Sequence, residues 1–294
     1  MSDTVTTGAN PPSFDVIEKS VSVSRYRHGG TALPFVVLPD IYQPDDWTAL
    51  TIDAARSGLD RFPSIRRVSD VGSGSGIIPL ALSRSYPDRN LLFACYDMKQ
   101  SAGRNLGLNY QLFGLSNRRP SFHHLDVRQG GMAPGDDGPP DLVTANIPQL
   151  PCIADDDWDP HKDPDDYHTL APQEWDDPVR AFGLGLLIDV IEAVRMTQPG
   201  RFCVAFCRSS RVPEAAFDAF LSTVHGSVID LGPRHSVRDC STPFSILAVV
   251  EERFGLKGAY DWKGRTVGAL DLRETSPLRE QVHIGLRSCL IQVE

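Results

Sequence analysis

Short apolar runs alternate with longer stretches of helical period along most of this chain. The runs near 66–71, 90–96, 120–125, 141–145, 201–207, 226–231 and 244–251 are rich in Val, Ile, Leu, Phe and Cys and are bounded by turn-forming residues, which predicts strands. Between them, 75–86, 99–114, 179–196 and 212–223 carry apolar residues at helical spacing. Upstream, Val21, Val23 and Phe35 to Leu38 predict a short β-element. Residues 45–58, with Trp47, Leu50, Ile52 and Ala54-Ala55 apolar, predict a helix. The alternation predicts an α/β fold with a doubly wound, mostly parallel seven-stranded sheet and an antiparallel edge. It divides the chain into a polar, disordered tail (1–13), a cap (14–60), a core (61–253) and a C-terminal extension (254–294). The extension suits an edge hairpin, a cover or an arm for a homodimer.

Composition narrows the class of partner. The chain has 294 residues, 41% of them hydrophobic and 23% charged, with net charge −9. That balance argues against nucleic acid, whose phosphates need clustered Lys and Arg. No apolar run reaches membrane-spanning length, and the N-terminus has neither a basic start nor an apolar stretch, so a cytoplasmic protein with no membrane partner is expected. The six cysteines are scattered without a C-x-x-C pair, which points to neither a disulfide scaffold nor a zinc site. Cys95, Cys203 and Cys207 fall in apolar runs and read as core thiols.

The most specific stretch joins the first core strand to its helix: Asp70-Val71-Gly72-Ser73-Gly74-Ser75-Gly76. A glycine turn there lets a ligand approach the backbone, and the helix N-terminus offers free N–H groups and a positive dipole end. The third glycine comes one residue too early for the dinucleotide pattern G-x-G-x-x-G, and no phosphate-loop G-x-x-x-x-G-K-[ST] is present. D-x-G-x-G-x-G resembles motif I of the class I S-adenosylmethionine-dependent methyltransferases. Asp97, followed by Met98, closes the second strand roughly 20 residues on, where a carboxylate can accept the ribose hydroxyls. Asp126-Val127 follows the third strand, where the resemblance implies an acceptor for the adenine amino group. It thus implies a Rossmann-like fold, S-adenosyl-L-methionine as cofactor and 14–60 as a cap over it. Asp70, Gly72, Ser73, Gly74, Gly76, Asp97, Met98, Asp126, Val127 and Asn146 become its candidate contacts.

The fourth strand ends in Asn146-Ile147-Pro148-Gln149, which resembles motif IV of the amino-group methyltransferases, including the glutamine-amide branch. An sp2 amino group is a poor nucleophile. By the resemblance, the Asn146 side chain and the Ile147 carbonyl hold its two N–H bonds, while Pro148 restricts the backbone. Gln149 stands where that family has an aromatic, which weakens a nucleobase substrate and leaves a hydrogen bond to a polar one. The segment Leu38 to Thr48, containing Tyr42, resembles the pre-motif segment lying over the cofactor, and Phe182-Gly183-Leu184-Gly185-Leu186 resembles the helix entry after motif IV. The N-terminal helical domain of the release-factor enzymes is missing, so a large protein target is not expected. Residues 152–178 carry ten acids and one lysine. With Asp155, Asp156, Asp157 and Glu174, alongside Tyr42, as candidate substrate contacts, they suggest a small cationic acceptor such as free arginine. D-x-D-x-D occurs at 155–159, but Pro160 and Asp166 stand where a calcium loop needs Gly and Glu, so no metal is implied. The expectation is an N-methyltransferase of a small metabolite. S- or O-methylation, methylation of a protein glutamine, and non-catalytic cofactor binding are the alternatives.

Overall fold

The structure, a computed structural model, describes residues 22–28, 31–115, 118–128, 132, 138–152, 167–169, 172–197, 200–238, 244–275 and 281–294. The tail 1–13 and most of the acidic segment, including Asp155, Asp156 and Asp157, lie outside them.

The chain opens with an antiparallel hairpin, β1 (Ser22–His28) and β2 (Thr31–Val37), followed by α1 (Asp46–Arg61). The alternating core then runs β3 (Arg67–Val71), α2 (Ile77–Ser85), β4 (Leu92–Asp97), α3 (Gln100–Leu112), β5 (Ser121–His124) and β6 (Leu142–Ala145). A two-stranded parallel pair, β7 (Leu150–Cys152) and β8 (Tyr167–Thr169), flanks the acidic segment. Then come α4 (Gly185–Thr197), β9 (Phe202–Ser209), α5 (Glu214–Thr223), β10 (Gly226–Leu231), β11 (His235–Arg238), α6 (Phe244–Phe254), β12 (Tyr260–Trp262), β13 (Arg265–Val267), α7 (Ala269–Thr275) and β14 (Val282–Val293).

The central sheet is mostly parallel, as expected, in the order β5-β4-β3-β6-β9, with β14 antiparallel beside β9. Its strand count and last strand differ from expectation. Among the described residues ten strands join it, and Phe244–Glu251 is helical within α6. Residues 254–294 are not an appendage, because β14 inserts between β9 and β10. The reason is the length of β14. Its C-terminal part, Leu286–Val293, pairs with β9. Its projecting start, Val282–Ile284, pairs with β12, while β10 and β11 line its other edge.

Side chains alternate across the strands and so build two cores. Val143, Ala145, Val204, Phe206 and Ile291 face α4 and α5, whereas Leu142, Cys203, Ala205 and Leu290 face the layer of α1, α2 and α3. A third cluster joins α6, α7, β12 and the start of β14 to Leu50 of α1. Residues 14–60 therefore do more than cap, since α1 packs on the central sheet through Ile52, Ala55 and Leu59. Cys95, Cys203, Cys207 and Cys289 are buried free thiols. No described helix is long and apolar enough to cross a membrane. From β3 the chain winds outward to β4 and β5, then crosses back to β6 and β9. The switch point therefore lies between β3 and β6, where ligands of doubly wound folds bind at the strands' C-terminal ends.

Candidate functional site

The loops after β3, β4, β5 and β6 and the start of α1 enclose one cavity of about 480 Å³, within the usual range for small-molecule sites. Its floor is the glycine turn. Gly72 N and Ser73 N both donate to the Tyr96 carbonyl, at 2.9 and 3.2 Å, and tie the turn to β4. Gly76, at φ +75°, caps α2 in the left-handed region. A Cβ there would lie 2.2 Å from Leu106 Cδ1 and 3.2 Å from Leu106 Cα, so the turn can sit against α3 only as glycine. α2 has no side-chain cap, which leaves the positive end of its dipole at the turn. Pro79 falls in its first turn, where a missing N–H costs nothing.

Asp97 is held by two backbone donors, Gly74 N to Oδ2 at 2.9 Å and Lys99 N to Oδ1 at 2.8 Å, so its carboxylate is fixed at the cavity edge. Below it Asp70 is fully buried and accepts from Thr144 Oγ1 at 2.6 Å. Burial pushes its carboxyl up to about 7, against the pull of the Thr144 bond and with a push from Asp97. The hydroxyls of Ser73 and Ser75 and Oδ2 of Asp70 are buried without a partner among the described residues. Met98, Asp126 and Val127 complete this half of the cavity. Both Asp126 oxygens already accept from Arg128, Nε at 3.1 Å and Nη2 at 2.9 Å. The donor set fits a nucleoside with a charged tail: an open glycine backbone, a fixed carboxylate, unmatched hydroxyls and a helix N-terminus.

Asn146, Ile147, Pro148 and Gln149 form the opposite wall. Asn146 Nδ2 donates to Thr48 Oγ1 at 2.8 Å. Thr48, the third residue of α1, closes its capping box, and its N–H donates to Asp45 Oδ1 at 3.2 Å. Tyr42 Oη donates to Asp45 Oδ2 at 2.7 Å. A polar chain thus runs Tyr42–Asp45–Thr48–Asn146 along the cavity. Asp45 is solvent-accessible because it borders the open cavity, yet the dense protein around it raises its carboxyl above the usual range, against the hydrogen bonds it accepts. Arg211, 6% exposed, also lines this end, its guanidinium 4.8 Å from the centre of the Trp47 ring. Gln149 Nε2 donates to the Cys207 carbonyl at 2.7 Å. Behind it Gly183, at φ +90°, sits so close to the Gln149 carbonyl that a Cβ would lie 1.7 Å from that oxygen. This explains the Phe182-Gly183 entry, a π-type turn over Arg180–Leu184 that leads into α4.

Gly72, Ser73 and Gly74 of motif I, the candidate contacts of the second and third strands, motif IV and Tyr42 therefore meet in one cavity, whereas Asp70, buried beneath the turn, and Gly76, packed on Leu106, do not line it. Glu174 does not line it. Its carboxylate pairs with Arg180 at 2.8 Å, in a cluster with Asp189. Trp47 and Thr48, which fall in the segment that resembles the pre-motif cover, line the site, and Arg211 enters it without having been singled out. The Asp45-x-x-Thr48 box can be read as a helix start, but its bond to a residue 98 positions away cannot. Arg211 follows β9 with no local signal.

No family model matches the chain, and no curated protein does. Among solved structures, the SAM-dependent methyltransferase from Geobacter sulfurreducens in complex with S-adenosyl-L-homocysteine is 15% identical with TM-score 0.41, over 83% of this chain and 90% of that one. The one from Thiobacillus denitrificans, with the same compound, is 15% identical with TM-score 0.39, over 85% and 93%. The [4+2]-cyclase SpnF is 13% identical with TM-score 0.41, over 86% and 85%. At such low identity and TM-score, a functional reading rests on the site itself.

Proposed function

We propose that this chain is an S-adenosylmethionine-dependent methyltransferase acting on a nitrogen of a small polar acceptor. The observation that carries it is the convergence on one switch-point cavity of the glycine turn, the backbone-fixed Asp97 and the Asn146 wall. When bound, the cofactor supplies a sulfonium methyl whose bond to sulfur breaks, returning its electron pair, as a bond to the acceptor nitrogen forms. Asp97 would accept the ribose hydroxyls, and the turn and the start of α2 would receive the charged tail. Asn146, oriented by Thr48, would hold the acceptor nitrogen in line. The nitrogen must shed a proton as it is methylated. Asp45, a carboxylate of raised proton affinity in the same cavity, would take it.

The charges at the acceptor end fit a molecule with both signs. Asp45 suits a cationic or proton-donating group, and Arg211 suits a carboxylate. Free arginine, with a guanidinium and a carboxylate, has both. The test is methyl transfer from labelled cofactor to a panel of amino acids, peptides and amines, with product mass spectrometry. An N-methylated small molecule supports the reading. Labelling of oxygen or sulfur, or of no acceptor, overturns it.

A further inference from the structure

Two asparagines on α3 hold the N-terminal hairpin from the side. Asn105 and Asn109 are four residues apart, so they share a face of the helix, and both are fully buried. That face meets the edge of β2 turned away from β1. Asn109 Oδ1 accepts the Val36 N–H and its Nδ2 donates to the Val36 carbonyl, at 2.8 and 2.9 Å. Asn105 Nδ2 donates to the same carbonyl and its Oδ1 accepts the Leu38 N–H, both at 2.8 Å. The two side-chain amides stand in for a third strand. Asn109 makes one bond more. Its Nδ2 also donates to the Ser75 carbonyl at 2.8 Å, in the glycine turn that floors the cavity. The Ser75–Gly76 peptide is therefore fixed at both ends, its oxygen by Asn109 and its N–H, on Gly76, by the Ser73 carbonyl at 2.7 Å. A peptide that ends in glycine turns over readily, so its direction here needs an external hold.

We infer that Asn109 is a positioning residue for the cofactor, holding the Ser75 carbonyl away from its charged tail. This rests on the proposed function, which puts that tail at the turn and the start of α2. A carbonyl turned into the cavity would set its partial negative charge against the carboxylate of the tail, beside the positive end of the α2 dipole. Asn109 does not line the cavity, so it acts through the backbone oxygen it holds. An amide suits this task because its N–H groups can serve two carbonyls while its oxygen takes the Val36 N–H. Leu106, on the same helix, packs against Gly76 and keeps α3 in register with the turn. The bond to Val36 also makes the hairpin part of the cofactor site, although β1 and β2 lie outside the cavity.

Calorimetry on the full chain tests this with S-adenosylhomocysteine and 5′-methylthioadenosine, which keeps the adenosine and lacks the charged tail. Asn109→Ala is expected to weaken S-adenosylhomocysteine by about tenfold or more and methylthioadenosine by less than about twofold, because the loss falls on the tail alone. Asn105→Ala also releases Val36 but leaves the Ser75 carbonyl held. It is expected to change both affinities by less than about twofold. An equal loss for the two ligands in Asn109→Ala, no loss for either, or the same tail-selective loss in Asn105→Ala overturns the inference. If Asn109→Ala does not fold, hydrogen exchange in the wild type decides. The Val36 N–H, held by the same amide, is expected to exchange about tenfold or more slower with S-adenosylhomocysteine than with methylthioadenosine, both at saturation and relative to the amides of α5. Equal protection by the two ligands overturns the inference. A wild-type chain that binds neither compound contradicts the cofactor reading and the inference with it, whereas the other contrary results overturn the inference alone.

Discussion

Position 70 sets a carboxylic acid in a fully buried site, with Thr144 donating to one oxygen and burial raising its pKa to about 7. An aspartate of the unfolded chain titrates near 3.9. The folded state thus holds this proton across the window between the two values. Its contribution to stability is complete below about 4 and is lost as pH rises through about 7. Asp70→Asn keeps an acceptor for Thr144 and removes the titration. The variant's melting temperature relative to wild type, measured on the ligand-free protein, is expected to rise by a few degrees between pH 5 and about 7 and to level off by pH 9. A variant that loses stability relative to wild type over that range would show that the ionised carboxylate is favoured in the fold. Asn146 makes its case through kinetics. Asn146→Ala is expected to lower kcat by about 10²-fold with little change in cofactor affinity, because the lost contact is to the acceptor in the transition state. Near-native turnover would make Asn146 structural. Much of this scale is legible in the sequence, because Gly72, Asp97, Asp126 and Asn146 all stand where a strand ends. Arg211 and Thr48 are not, since their roles arise from contacts across the fold.

At the scale of elements, the tightest joint is between the loop after β6 and the π-type turn before α4. Gly183 has a left-handed φ and no room for a Cβ against the Gln149 carbonyl. Gly183→Ala is expected to destabilise by more than about 2 kcal/mol in denaturant melts and to lower turnover, because the acceptor wall must shift. A neutral effect would mean that the two loops are not in contact. The sequence reading fails at an instructive element. Phe244-Ser245-Ile246-Leu247-Ala248-Val249-Val250 is short, apolar and partly β-branched, a pattern that periodicity alone does not resolve. Tertiary contacts make it helix α6. Leu247, Ala248 and Val250 are buried, and Glu251, 3% exposed, accepts from the N–H groups of Gly258, Ala269 and Leu270. That internal anchor links residues up to 19 positions apart, and no local window contains it.

The whole molecule is a sheet closed by its own C-terminus. β14 is buried along most of its length and touches β9, β10, β11 and β12, so the last strand completes the middle of the sheet rather than its rim. A chain ended at Gln281 is expected to lose its cooperative thermal transition, whereas a removable arm would leave it intact. The strand–helix order of the first half is local in sequence and therefore legible. The return of β14 across the insertion from β11 to α7 is a long-range pairing that local pattern cannot assign. The central claim is that this sheet presents a cofactor site at its switch point, and titration calorimetry with S-adenosylhomocysteine tests it most directly. The wild-type chain is expected to bind at the micromolar level, roughly −8 kcal/mol. Asp97→Ala is expected to weaken binding by about 1–3 kcal/mol through loss of a charged acceptor. Binding of NAD with no heat from S-adenosylhomocysteine, or an Asp97→Ala variant that binds it as tightly as wild type, would contradict the account.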